Sequence, residues 1–412
     1  MPDRKKLQQY CSLLVESINL KEGQELVIRI PAEHLEFARL LQKMAYEKGA
    51  GLVTVRFEDD YCTRNSLLYA GEEVLSRVTE SELLRNREEQ ERCTAYMSIL
   101  SDHPDAMEGV DEEKSGRILR ARSLGLKPVR EYLMKSQGQW SVAAIPNPGW
   151  ARQVFPEIED EEAAVEALYD AIFETVGMNK PGDPLENWRN HGDAIHSHSQ
   201  KMTEYQFQAI RFHNSIGTDL LVPLVKNHIW GGGMEPASRN GQWFDPNIPT
   251  EEIFTCPDCR KTEGTVKASR PLNMDGQMIE DFGFTFHEGK VTDWHAGKGA
   301  KTLESILSAD EGAVRIGEVA LVPYDSPISN LNLLFYNTLF DENAACHLAL
   351  GASYPTTVKG GEAMDGEELL NLGANQSAVH VDFMFGTEDL SADGIREDGT
   401  VVPIFRNGNF VI

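Results

Sequence analysis

Between Asp341 and Phe383 the chain reads DENAACHLALGASYP, then a glycine-rich passage, then ANQSAVHVDFMFG. His380 and Asp382 stand two apart in the alternating run SAVHVDFMF. In an extended strand, residues i and i+2 share a face, so this imidazole and carboxylate aim together while Val379, Val381 and Phe383 aim the other way. His347 follows a carboxylate-bearing turn made of Asp341, Glu342 and Asn343. Imidazole nitrogen and carboxylate oxygen aimed from one rigid strand suit a borderline divalent cation such as zinc, cobalt or manganese.

Two acidic positions upstream are candidates for the same chemistry. In NIPTEEIFT (247–255) two adjacent carboxylates precede Ile253 and Phe254. Neighbours in an extended chain point opposite ways, so only one of Glu251 and Glu252 faces a site, and spacing alone does not say which. Glu318 lies in VRIGEVALV, where a period of two places it on one face with Ile316, Ala320 and Val322. A carboxylate on that apolar face is costly to bury unless a cation or metal pairs with it. The alternative is a core salt bridge, with Arg315 or another arginine.

Other metal-like spacings carry less. Cys256-Pro-Asp-Cys259 is a C-x-x-C, but no second pair accompanies it for structural zinc, and it does not open a helix as a redox motif would. It reads as loop. Cys346 reads as a packed thiol, since no oriented base is evident beside it. His196 and His198 fall in a helical stretch, where i and i+2 do not share a face.

These residues need elements to position them. The first part of the chain alternates strand and helix: Glu25–Ile30, a helix over His34–Lys48, Leu52–Phe57, Ala95–Leu100, a helix over about Glu112–Lys135, and Trp140–Ile145. Such alternation implies right-handed crossovers and a mainly parallel sheet. Neither G-x-G-x-x-G nor a P-loop follows the first strand, so a nucleotide-binding reading lacks its fingerprint. A helix over Asp160–Val176 ends near Gly177, and Asn179–Pro184 (NKPGDP) breaks the pattern. A further helix, about Leu185–Met202, leads into a strand-rich part: Gln206–His213, Asp219–Pro223, a hairpin of Gly283–His287 and Val291–Trp294, and Ala313–Pro323. The expected architecture is an N-terminal α/β domain over 1–182. An α+β domain over 183–412, with a largely antiparallel sheet, carries the metal site.

Composition narrows the partners. A net charge of −26 argues against nucleic acid, which demands clustered Lys and Arg. No apolar run approaches the roughly 20 residues that span a bilayer, and MPDRKKLQQYC lacks a signal-peptide core. Six cysteines in 412 residues make no disulfide framework. The chain reads as a soluble cytoplasmic protein.

NIPTEEIFT, GEVALV, DENAACHLALG followed by SYP, and HVDFMFG, in this order and spacing, closely resemble the aminopeptidase T and aminopeptidase S family of metallo-aminopeptidases. The match covers nearly all of 190–412. The resemblance implies metal ligands at Glu252, Glu318, His347, His380 and Asp382, with Glu342 as a further ligand and Tyr354 as a catalytic side chain. It selects Glu252 over Glu251, and it implies a homodimer acting on peptides. Cys256 and Cys259, just past the first motif, are a departure that displaces no ligand. Three carboxylates and two imidazoles exceed what one catalytic zinc takes. They suit two divalent ions about 3.5–4 Å apart with a shared carboxylate. The expected function is a metal-dependent aminopeptidase. The alternatives are a two-metal hydrolase of a non-peptide amide and a non-catalytic metal- or peptide-binding protein.

Overall fold

The computed structural model describes residues 3–274 and 277–412. The chain divides into two compact units. One gathers the residues up to His191 with Met234–Pro249, and the other gathers Gly192–Gly233 with Thr250–Ile412.

The first unit is built on a parallel sheet in the order Leu52–Glu58, Glu25–Pro31, Ala95–Leu100, Trp140–Ala144. Leu26, Ile28, Ile30, Met97 and Ile99 are buried in it. The helix Arg4–Ile18 buries Tyr10, Leu13, Leu14 and Ile18, and Leu35–Glu47 buries Phe37, Ala38 and Leu41, each at helical spacing. Helix starts are set by side-chain caps: Asp59, Thr79, Asp111, Asn147 and Asp160 each accept a bond from a backbone N–H in the first turn that follows. The single helix expected over 112–135 is two, Glu112–Gly125 and Lys127–Met134. Pro128 explains the break: it has no N–H to continue the ladder but fits the first turn of the second helix.

The second unit contains two antiparallel sheets. In the larger, the strands run Leu272–Met274, Gln277–His287, Glu263–Lys267, Asp219–Pro223, Ala209–His213, Ser391–Ile395, Val401–Arg406 and Asn409–Phe410. Lys290–Lys298 pairs with Gln277–His287, as the hairpin expectation requires. The smaller sheet runs His380–Met384, His347–Gly351, Ile316–Leu321, Ile253–Thr255. Its apolar face, with Ile253, Val319, Leu321, Leu348, Leu350, Val381 and Phe383, joins Phe212, Phe282, Phe284 and Phe286 of the larger sheet in one core. Phe383 meets Phe284 with ring centroids 5.0 Å apart.

Asp245 in the first unit is buried, accepts a 3.1 Å bond from Trp188 Nε1, and is pushed up to about 6 by its burial. A carboxyl raised above its unfolded value stabilises the fold at low pH and loses that contribution as pH rises through the folded value. Asp245→Asn should therefore gain stability over the unsubstituted protein between about pH 4 and pH 7, by on the order of 1–3 kcal/mol. Paired urea midpoints across that range measure it; a difference independent of pH contradicts it.

Candidate metal centre

Strand pairing decides what lies on the other face of the small sheet. Ala320 pairs with Phe254 on one side and His347 on the other, and His347 pairs with Met384. In the next row Glu318 pairs with Ala349, and Ala349 with Asp382. Beyond it Gly351 pairs with His380. Since paired residues share a face, Glu318, His347, His380 and Asp382 all project from the side opposite the apolar core. Glu252 immediately precedes the strand Ile253–Thr255, two residues before Phe254.

A β-bulge makes this alignment possible. Ile316 pairs with Leu350 while Glu318 pairs with the adjacent Ala349, so Gly317 is an extra residue in the ladder. The expectation that Ile316 and Glu318 share a face is thereby corrected: Ile316 turns into the core and Glu318 away from it. Only glycine fits at the bulge. A Cβ on Gly317 would lie 2.2 Å from the Gly351 carbonyl oxygen and 2.4 Å from that of Ala352.

The donor atoms converge in two groups, Glu252–Glu318–His347 and Glu318–His380–Asp382, which share Glu318. His347 Nε2 lies 2.9 Å from Glu252 Oε2 and 3.6 Å from Glu318 Oε1. His380 Nε2 lies 3.7 Å from Glu318 Oε2 and 3.4 Å from Asp382 Oδ1. One oxygen of Glu318 therefore faces each imidazole. Both rings are oriented by backbone: His347 Nδ1 is 3.1 Å from the Ala345 carbonyl and His380 Nδ1 is 2.7 Å from that of Ala352. A carbonyl only accepts, so each Nδ1 carries a proton and Nε2 is the ring nitrogen turned toward the carboxylates, the atom that a neutral ring would offer as ligand. Short as these approaches are, no hydrogen bond reaches Glu252 Oε2 or Asp382 Oδ1. Buried carboxylate oxygens left without a hydrogen bond, each facing an imidazole nitrogen, are what a cation would fill.

Electrostatics point the same way. Burial raises Glu318 to about 7 against the opposing pull of His347 and His380. Burial likewise lifts Glu342 well above the ordinary carboxylate value, with Asp382 and Glu252 adding to it. Burial would depress both imidazoles, but Glu252 and Glu318 hold His347 well above its ordinary value and Asp382 holds His380 at about 10. Burial would raise Asp382, and His380 draws it below the ordinary range. Without cations the carboxylates compete for protons. The donor set of carboxylate oxygens and imidazole nitrogens fits divalent metal.

Glu342 belongs to neither group of converging atoms but lies close enough to feel both. Tyr354 stacks edge-on to His380, with ring centroids 5.0 Å apart, and touches the Phe254 ring at 5.7 Å. Burial, then the charges of Glu318 and Asp382, hold its hydroxyl well above the ordinary phenol value.

Comparison with known proteins gives the family. The model of the thermophilic metalloprotease (M29) family matches residues 3–410. The chain belongs to the M29 family. It is 39% identical to aminopeptidase AmpS of Bacillus subtilis (strain 168) over 98% of both chains. It is 40% identical to aminopeptidase T of Thermus aquaticus over 96% of this chain and 95% of that one. The structure of wild-type AmpT from Thermus thermophilus superposes over the whole of both chains with a TM-score of 0.89 at 37% identity. A 2,5-dihydroxypyridine dioxygenase from Pseudomonas putida KT2440 shares the fold at a TM-score of 0.54 and 12% identity. Membership of a metalloprotease family implies use of a divalent metal.

Several supports of this candidate site were not singled out from sequence. Asn343 is fully buried, donates to the Leu339 carbonyl and accepts the Glu251 N–H at 2.8 Å, fixing the backbone beside Glu252. Asn375 donates to the carbonyls of Gly312 and Gly351. Neither carried a sequence signal, because the burial that obliges an Asn to find partners arises only on folding. The other metal-like spacings stay apart from the centre. His198 stacks on Phe410 and His196 bonds Gln200. Arg315 donates to the Cys259 carbonyl at 2.8 Å. Cys346 bonds the Val322 backbone, and burial lifts its thiol to about 12. Cys256 packs with Val225, Val358, Leu369 and Ala374, and Cys259 is buried nearby.

Two outcomes follow from this packing. Gly317→Ala should cost about 1–3 kcal/mol of stability, as backbone overpacking does. It should also weaken metal binding, because the Ala352 carbonyl that holds His380 must move. Urea midpoints and metal titration measure both, and a fully stable, metal-loaded variant contradicts the bulge argument. Replacing Cys256 and Cys259 together with Ala should leave bound metal per chain unchanged even where apolar contact is lost. Elemental analysis decides this, and loss of a metal equivalent would revive the structural-zinc reading.

Proposed function

We propose that this metal-dependent aminopeptidase removes the first residue of peptides at a centre of two divalent ions, zinc, cobalt or manganese. Glu252, Glu318 and His347 would hold one ion, Glu318, His380 and Asp382 the other, and Glu342 would be a further ligand. The observation that carries the reading is Glu318, a buried carboxylate with one oxygen turned toward each histidine. When bound, such ions supply polarisation of the scissile carbonyl and a nucleophile at neutral pH.

The chain's own residues do the rest. The carbonyls of Ala345 and Ala352 keep both imidazoles in the ligating tautomer. The carboxylates of Glu252, Glu318, Glu342 and Asp382 together with one hydroxide outweigh two divalent cations by one charge. That surplus complements a peptide's α-ammonium group. Tyr354, its hydroxyl kept protonated by burial among carboxylates, would donate to the oxygen of the developing tetrahedral intermediate. Six free cysteines support a reducing, cytoplasmic setting, and the net charge of −26 weighs against a nucleic-acid partner. No helix among the described residues is long and apolar enough to cross a membrane. The homodimer is carried by the family resemblance alone.

Glu318→Ala deletes the shared ligand, so activity and metal content should fall together. Tyr354→Phe keeps the ring against His380 and removes only the hydroxyl. Its kcat should drop by roughly 10²–10³, the size of losing one oxyanion donor, with metal retained. Its KM should change little, because the bond forms mainly in the transition state. Elemental analysis beside steady-state kinetics on one aminoacyl-anilide tests both. A Tyr354→Phe enzyme at full activity removes the hydroxyl from the mechanism; one that loses metal makes the tyrosine a ligand or a structural group.

A further inference from the structure

The ligand-bearing face of the small sheet holds one unexplained side chain. Apart from the candidate ligands, its strand residues are Phe254, Ala320, Ala349, Gly351 and Met384. Among these described residues Ala320, Ala349, Gly351 and Met384 are buried, and only Phe254 is partly exposed. Phe254 is not part of the apolar core behind the sheet; its ring lies on the ligand-bearing side against Tyr354. Its position is also built. The backbone of Gly231 pairs with that of Phe254, donating at 2.8 Å and accepting at 3.1 Å. A Cβ at position 231 would lie 2.9 Å from the ring's Cζ. At Gly232, where φ is +144°, a Cβ would lie 2.5 Å from the Glu252 carbonyl oxygen. These two glycines let the backbone run close against the Glu252–Phe254 segment, with room for the ring. The ring meets Tyr354, and Tyr354 meets His380.

We propose that Phe254, with the ring of Tyr354, forms the apolar wall that receives the side chain of the substrate's first residue. The enzyme would therefore prefer peptides whose first side chain is large and apolar. This rests on the aminopeptidase reading. The first residue's Cα joins the ammonium group to the scissile carbonyl, so its side chain must leave within a few bonds of the ions. The exposed part of the Phe254 ring, one aromatic contact from the ring that touches His380, is the apolar surface on this face that it meets.

The test is the ratio of kcat/KM for a leucyl-anilide to that for an alanyl-anilide, measured on one preparation of metal-loaded full-length protein. A ratio on one preparation is independent of the fraction correctly folded. Phe254→Ala should lower this ratio by roughly tenfold or more, the range for losing apolar contact in a specificity pocket. Phe254→Leu, which keeps an apolar wall, should retain most of it. A ratio unchanged in Phe254→Ala while both substrates slow equally would overturn the proposal and make Phe254 a positioning residue for Tyr354. So would a change seen only when the second residue of dipeptides is varied. Unsubstituted protein inactive on every substrate would instead overturn the aminopeptidase reading, and this inference with it.

Discussion

Like charges gathered away from water set the terms for this structure. Glu252, Glu318 and Asp382 crowd together beside one face of a small sheet, with Glu342 adding its charge, and burial works against ionisation of the carboxylates. Unpaired ions in such a setting are expensive, and removing one partner of a buried set is worse than never having built it. Divalent cations would relieve the repulsion and engage the oxygens of Glu252 and Asp382 that hydrogen bonding leaves over. The same electrostatics that would destabilise an empty site would then become affinity for metal, and would couple metal binding to folding of this unit.

Holding that cluster requires a sheet with two unlike faces. The larger antiparallel sheet presents Phe212, Phe282, Phe284 and Phe286 to the apolar side of the small one, giving a packed floor behind the donors. Because side-chain direction has a period of two, one slip in register would exchange the two faces. The extra residue at Gly317 performs that exchange for half a strand, burying Ile316 while turning Glu318 outward. Backbone carbonyls at Ala345 and Ala352 then fix the rings, so ligand orientation depends on main chain rather than on mobile side chains.

The sequence made some of this legible and hid the rest for physical reasons. His380 and Asp382 were readable because strand alternation is local and needs no partner strand. The four parallel strands of the first unit were readable from β-branched runs between helices. Glu318 was readable as a costly buried carboxylate, but its neighbours were not, because a bulge depends on the carbonyls of Gly351 and Ala352 across the ladder. Glu251 and Glu252 are indistinguishable by spacing. The tertiary approach of His347 to Glu252, and of Asn343 to the Glu251 backbone, separates them. The break at Leu126 followed from Pro128, a local signal that helical periodicity alone overrode.

The central claim is that Glu318 is shared between two ions. Anomalous scattering from crystals of the protein loaded with zinc or cobalt tests it most directly. The account predicts two peaks, one beside Glu252 and His347 and one beside His380 and Asp382, each adjacent to a different oxygen of Glu318. A single peak, or peaks that leave Glu318 without a metal neighbour, would contradict it.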